Sequence, residues 1–405
     1  MDGIGRHHAP ALLDATPMTF RTRLVVLLVS TPLVAFAVVG GLLGKTVTRE
    51  DTYQHLRVFE DVVNLILGNY VEVVDVDRVM EGALRGLAES LDPDSSYLPP
   101  DLVPAVEQRT PLEPGETGLE LTRQYYLRVV SARDGSPAAR AGLRTGDYIR
   151  AIDGASTRTM SIIEGQRRLR GPVGSKVTLT VLRGSAAEPH PVEIVREAVR
   201  LEPVRIRMAA PGVGLLRIST FDGEVVDAIR NGVAALQAQA AARLVIDLRG
   251  TAQGPLDAGI AAARLFVASG TLVQRQARGG QPEPIATGRG DGPITIPVVL
   301  LVTSGTSGAA ELFAAALAGN GRAELVGERT LGRAGVQKLV RFADGSGLWL
   351  TWARYLTPSG KAIHGSGLEP TVEVEDPDVE FGTEPPADDP ILEKALERWN
   401  VKKAA

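Results

Sequence analysis

From about residue 203 onward, short apolar runs alternate with amphipathic helical stretches, and no other feature of the sequence restricts its fold as much. Residues 213–218 precede a helical pattern through Val225, Ile229, Val233 and Leu236. Residues 244–248 lead through a glycine loop to a helix around 256–266, and residues 298–302 lead to a helix near 309–318. Apolar strands joined through helices are the grammar of α/β crossovers. The rest of the chain reads differently. Apolar positions at three-to-four spacing (Phe59, Val62, Val63, Ile66, Leu67, then Val79, Met80, Ala83, Leu84, Leu87) predict helices over 52–90, with a turn at 69–77 between them. Residues 91–97 stop the second helix, Pro93 excluding its continuation. Residues 115–199 change to short β runs and glycine turns, with strands at 127–130, 148–152 and 177–182. The predicted class is therefore multidomain α/β (α+β), consistent with a chain of 405 residues.

Residues 24–44 form one uncharged apolar stretch, preceded by Arg21 and Arg23 and followed by Lys45. About 20 such residues match the hydrocarbon core of a bilayer. The reading is a 1–23 cytoplasmic tail and a 24–44 signal anchor, oriented by the arginines, with the bulk of the chain across the membrane. A cleavable signal peptide ending after Ala35-Phe36-Ala37 is the competing reading. The remaining divisions are a helical region at 52–100, a β domain at 115–199, an α/β core at 203–372, and an acidic Pro-rich linker with a last helix at 373–405.

Composition excludes several chemistries. The chain has no cysteine, so disulfides, thiolate metal clusters and cysteine nucleophiles are ruled out. Five histidines, two of them in the tail as His7 and His8, leave few places for a multi-His metal site. Asp92, Asp94 and Ser95 read as a helix stop, so neither a metal nor a cofactor is expected. A net charge of −4 with no basic block speaks against nucleic acid. Only seven of the basic residues are lysine, which limits the candidates for a lysine base.

The run Gly118-Leu119-Glu120-Leu121, then residues 136–143, Gly146-Asp147 and Ile152-Asp153-Gly154, resembles a PDZ domain. That resemblance implies a β-sandwich or barrel-like fold whose Gly-Leu-x-Leu strand receives a peptide C-terminus by strand addition. Taken with residues 91–97, 247–250, 326–332, Val336-Gln337 and 355–360, the chain from about 52 to 400 is similar to the C-terminal processing (tail-specific) serine peptidases. The resemblance implies a helical N-terminal region, a PDZ domain that captures protein tails, and an α/β protease core with a Ser–Lys dyad. In such a dyad a desolvated lysine takes the serine proton.

At both dyad positions the sequence departs from that pattern. Residues 305–311 read Gly-Thr-Ser-Gly-Ala-Ala-Glu, which puts Gly308 in the nucleophile's place, and Arg333 occupies the lysine's. Glycine has nothing to attack with, and arginine stays charged near neutrality. Gln337 matches the family's accessory glutamine, and Gly254 matches the glycine that offers an oxyanion-hole amide, although its loop, 250–254, departs from the usual run. Ser307 is the fallback nucleophile, one residue off and pointing about 100° away on a helical start; Lys338, Lys361 and His364 are the bases it would have to recruit. Glu311 reads as a helix-start carboxylate, and Asp247 and Arg249 as ties at a strand end. The expectation is a single-pass protein of a bacterial inner membrane, its bulk periplasmic. It would bind protein tails without cleaving them, self-associating through 52–100 or pairing with an active paralogue. An active endopeptidase using Ser307 and a scaffold with a closed groove are the alternatives.

Overall fold

The structure is a computed structural model that describes residues 49–107, 112–184, 188–198, 202–377, 379–383, 386 and 388–401. The 24–44 stretch lies outside these residues. Among the described residues no helix is long and apolar enough to cross a membrane. The chain divides into two bodies, one ending at Val79 and one starting at Met80. In the first, α1 (Arg49–Asn69) leaves Tyr53, Leu56, Phe59, Val62 and Leu65 exposed.

The helix α2 (Val76–Glu89) starts in the first body and continues into the second. Beyond it, Asp92 Oδ1 accepts the N–H groups of Asp94 and Ser95 at 2.9 and 2.7 Å, which is the helix stop expected at Pro93. The strand β1 (Ser96–Leu98) and the short α3 (Val103–Glu107) follow.

The β domain contains β2 (Gly115–Glu116), β3 (Leu119–Gln124), β4 (Tyr126–Ala132), β5 (Tyr148–Ile152), β6 (Ala155–Ser156), β7 (Lys176–Leu182), β8 (His190–Val195) and β9 (Glu197–Ala198). Two helices belong to it, α4 (Pro137–Arg140) and α5 (Ile162–Arg168). Its main sheet is antiparallel in the order β3-β4-β5-β7-β8. Alternation fills its core: Leu119 and Leu121 on β3, Leu127 and Val129 on β4, and Val177, Leu179 and Val181 on β7 are buried together. Ser136 caps α4, accepting the Ala139 N–H at 3.2 Å.

The α/β core begins with the antiparallel pair β10 (Val204–Ala210) and β11 (Val213–Ile218), followed by α6 (Val225–Ala238), β12 (Arg243–Asp247) and α7 (Leu256–Ala263). Next come β13 (Thr271–Ala277), β14 (Glu283–Ala286), β15 (Val298–Val302), α8 (Ala309–Gly319) and β16 (Ala323–Gly327). The chain ends with β17 (Gly335–Arg341), β18 (Gly347–Leu356), β19 (Val372–Glu373) and α9 (Pro390–Glu397). The main sheet runs β10-β11-β12-β15-β16-β19, parallel from β11 onward. Its central strands β11, β12 and β15 are largely apolar on both faces because both are covered. Leu216, Ile246 and Leu300 join the core with α6, α7 and α8, whereas Leu215, Val245 and Leu301 pack on α9. A second, antiparallel sheet holds β1-β18-β13-β14, with β17 also on β18. The periodicity of the sequence did not foreshadow this sheet: its strands β13, β17 and β18 are half-buried and carry Arg, Gln and Thr among apolar residues.

Residues 373–390, read from composition as a solvated linker, are partly docked. They begin with β19, and Phe381 stacks on His190 with ring centroids 4.6 Å apart while Arg183 lies over its other side at 4.9 Å.

Candidate functional site

The turn from β15 into α8 is fixed by its own polar groups. Thr306 Oγ1 donates to the Leu248 carbonyl at 2.9 Å and accepts the Thr303 N–H at 3.1 Å. The Ser307 N–H reaches the Thr251 carbonyl at 3.0 Å. Gly308 then takes φ 63° and ψ −121°, which L side chains rarely adopt, and becomes the N-cap of α8. A Cβ built there would meet nothing closer than Leu256 Cδ2 at 3.7 Å and the Arg333 carbonyl at 3.8 Å. The turn is therefore a sharp strand-to-helix bend with open space on its glycine.

Glu311 locks the turn from within. Its Oε2 accepts the Gly308 N–H at 3.0 Å and the Arg333 N–H at 2.7 Å; its Oε1 accepts the Gly332 N–H at 2.6 Å and the Thr330 hydroxyl. Burial pushes this carboxyl up to about 7, in spite of those four donors. It is completely buried, so its role is to hold positions 308 and 333 in register.

Arg333 turns away from Gly308. Its Nε lies 2.9 Å from Asp94 Oδ1, in an ion pair whose angle leaves that oxygen without a formal hydrogen bond, and its Nη1 lies 3.6 Å from Glu120 Oε2. The same Nη1 donates to the Leu121 carbonyl at 3.2 Å. Burial disfavours the guanidinium charge, but Asp94, Glu120 and Glu311 outweigh it and raise its pKa further. Burial likewise raises Glu120, against the pull of Arg333 and a hydrogen bond from Gln253. The partnership of Asp94 with Arg333 was not read from the sequence. The signal available was an acidic residue in the 91–97 motif with no assigned partner.

Gly254 sits at φ 117° with its backbone pressed on Phe221; a Cβ there would lie 2.6 Å from Phe221. The preceding Gln253 accepts from Arg133 at 3.0 Å, which ties the 250–254 loop to the β domain. Gln337 lies on β17 opposite Thr351, with a long 3.5 Å contact to its hydroxyl. Ser307 is buried and its Oγ has no hydrogen-bond partner among the described residues. Lys338 is exposed on β17, its ammonium 4.7 Å from the Trp352 ring, and Lys361 is exposed as well. Both ring nitrogens of His364 are buried and have no hydrogen-bond partner among the described residues, and one of them lies within 4.8 Å of a carboxylate oxygen of Asp92 and of Asp94. Asp247 and Arg249 form the strand-end tie expected, extended to Asp389 at 2.8 Å on the cap of α9. Burial acts against the Asp247 charge, yet Arg249 and Arg217 pull its pKa below the ordinary value.

The peptide-binding candidates lie together at the start of β3. Gly118 has φ 80°, and a Cβ on it would collide with Ser136; its carbonyl accepts the Arg133 N–H at 2.9 Å. Leu119 and Leu121 are in the core, while Glu120 faces α5, where Gln166 donates to it at 3.3 Å. The strand is terminal in its sheet.

The Peptidase family S41 profile matches residues 212–374, and a PDZ domain profile matches 128–183. A carboxy-terminal-processing protease of Bartonella bacilliformis is 31% identical over 339 residues, covering 82% of this chain and 78% of that protein. A carboxyl-terminal-processing protease of Synechocystis is 35% identical over 307 residues, covering 74% and 72%. Among solved structures, the photosystem II D1 C-terminal processing protease superposes with a TM-score of 0.66 at 27% identity, covering 78% of this chain and 92% of that one. An α/β core with a PDZ domain, matched over most of both chains, places this protein in the carboxy-terminal processing protease family of S41 serine peptidases.

Proposed function

We propose that this chain binds protein C-terminal tails through the PDZ strand β3 and does not cleave them. The observation that carries the reading is the strand-to-helix turn at Gly308, which has the bend and the space for a nucleophile but no nucleophilic atom. Arg333 supports it, since a guanidinium paired with Asp94 and Glu120 cannot accept a proton near neutrality. Gly254 and Gln337 remain as parts of a site that has lost both reacting groups. The tail chemistry is strand addition, with backbone amides at Gly118–Leu119 meeting the terminal carboxylate and an apolar side chain entering the core side of β3. The uncharged 24–44 stretch supports a single-pass anchor in a bacterial inner membrane with the remainder periplasmic. The exposed apolar positions of α1 support self-association or pairing with an active paralogue.

The second reading is proteolysis through Ser307, favoured by its unpartnered hydroxyl. It is weaker because Ser307 is 1% exposed and no base is placed on it among the described residues. The deciding measurement is digestion of an unstructured protein with an apolar C-terminus by the full chain, beside a Gly308→Ser/Arg333→Lys double variant. Intact substrate with the native chain, and cleavage by the double variant, are the expected results. Cleavage by the native chain that disappears in Ser307→Ala would establish the second reading instead.

A further inference from the structure

A PDZ strand captures a tail only if its outer edge is free, and in this protein that edge has an occupant. β3 is the terminal strand of its sheet and β4 covers one side of it. The Leu121 carbonyl accepts from Arg333 Nη1 at 3.2 Å, so it points away from β4, along the edge where a further strand would add. Alternate residues of an edge strand offer both N–H and C=O to an incoming chain, and a tail laid on β3 needs this acceptor. The donor that fills it is charged and tethered: its Nε is 2.9 Å from Asp94, and its own backbone N–H is 2.7 Å from Glu311.

We propose that Arg333 is a latch on the tail-binding edge, which must leave the Leu121 carbonyl before a C-terminal tail can pair with β3. Asp94 is the anchor that keeps the latch shut, and Glu120, one residue before the blocked carbonyl, steadies it on the β domain. The residue in the lysine's place thus acts on recognition in this chain: it sets how readily the groove opens. The inference rests on the tail-binding reading above, and the two fail differently.

The test uses the full chain and a fluorescent peptide of about ten residues ending in Leu-Ala-Ala, with affinity read by anisotropy. Capping an acceptor with a charged donor corresponds to an effect on the order of tenfold, so Arg333→Gln should bind about that much more tightly than the native chain. Asp94→Asn keeps the arginine but loosens its anchor, and a gain of about two- to fivefold is expected there. Having two variants guards against a folding defect in either, which thermal melting would reveal. If the native chain binds and neither folded variant binds more tightly, the latch is overturned. If no form of the protein binds the peptide or a panel of apolar-ended tails, the tail-binding reading falls and takes the latch with it.

Discussion

Gly308 and Glu311 together set the strand-to-helix turn between β15 and α8. The backbone at Gly308 sits where a side chain costs about 1–3 kcal/mol of strain, and glycine removes that cost. The Glu311 carboxyl holds the turn from within, each of its oxygens accepting two bonds. Its pKa has a consequence for stability. The folded value of about 7 lies above the ordinary 4.5, so the folded state holds this proton more tightly than the unfolded chain. The contribution is fully present below about 4.5 and is lost as pH rises through about 7, an effect of up to about 3 kcal/mol. Glu311→Gln mimics the neutral carboxyl, whose O–H meets the same donors as an amide N–H₂ would, so it should change stability by no more than about 1 kcal/mol at pH 5. Because the variant lacks the titration, the gap should shift in the variant's favour between pH 5 and 8. Denaturant melts across this range test it, and a gap constant with pH would refute the shifted carboxyl.

At the scale of elements, the turn depends on how α7 meets α8. Gly259 on α7 lies so close to α8 that a Cβ would collide with the Ala309 carbonyl, whereas a Cβ at Gly86 in α2 would meet nothing within 4 Å. Alanine gains about 1 kcal/mol over glycine in a helix interior, so Gly86→Ala should raise the melting temperature. At Gly259 the backbone clash exceeds that gain, and Gly259→Ala should lose about 1–3 kcal/mol. Opposite shifts from one chemical change are the expected outcome of thermal melting; two gains would mean that the helices can separate at no cost. The same contrast explains what was legible in the sequence. The strands β11, β12 and β15 are apolar on both faces and could be read directly, as could the Asp92 turn. The sheet of β13, β17 and β18 was hidden because its exposed sides carry Lys338, Arg341 and Arg354 and because, apart from the β17–β18 hairpin, its pairings join strands far apart in the chain, as Gln274 with Leu356. Gly308 and Arg333 could be placed by motif alone. What Arg333 touches could not, because Asp94 and Leu121 are more than two hundred residues away along the chain.

In the larger body, the β domain and the α/β core share a C-terminal belt that composition disguised as a linker. β19 closes one edge of the main sheet, Phe381 docks on the β domain at His190, and α9 covers the back of the core with Ile391, Leu392, Ala395 and Leu396. Asp389 is where this belt is fastened. It caps α9 by accepting the Leu392 N–H at 3.0 Å, and it meets Arg249 through both oxygens at 2.8 and 2.9 Å. Asp389→Ala removes the cap and one side of the clamp, while Arg249 keeps its bond to Asp247 at 2.8 Å. Loss of the cap costs about 1 kcal/mol and loss of the partly exposed ion pair adds to it, for a total of about 1–3 kcal/mol. Because β19 and the Phe381 contact are untouched, the change should stay local. Amide exchange should accelerate across residues 390–397 and on the facing residues of β15 and β16, with β3 to β8 unaffected. Unaltered protection of α9 in the variant would mean that apolar burial alone fastens the belt, and the clamp at Arg249 would then serve only to orient the loop that leads into Gly254.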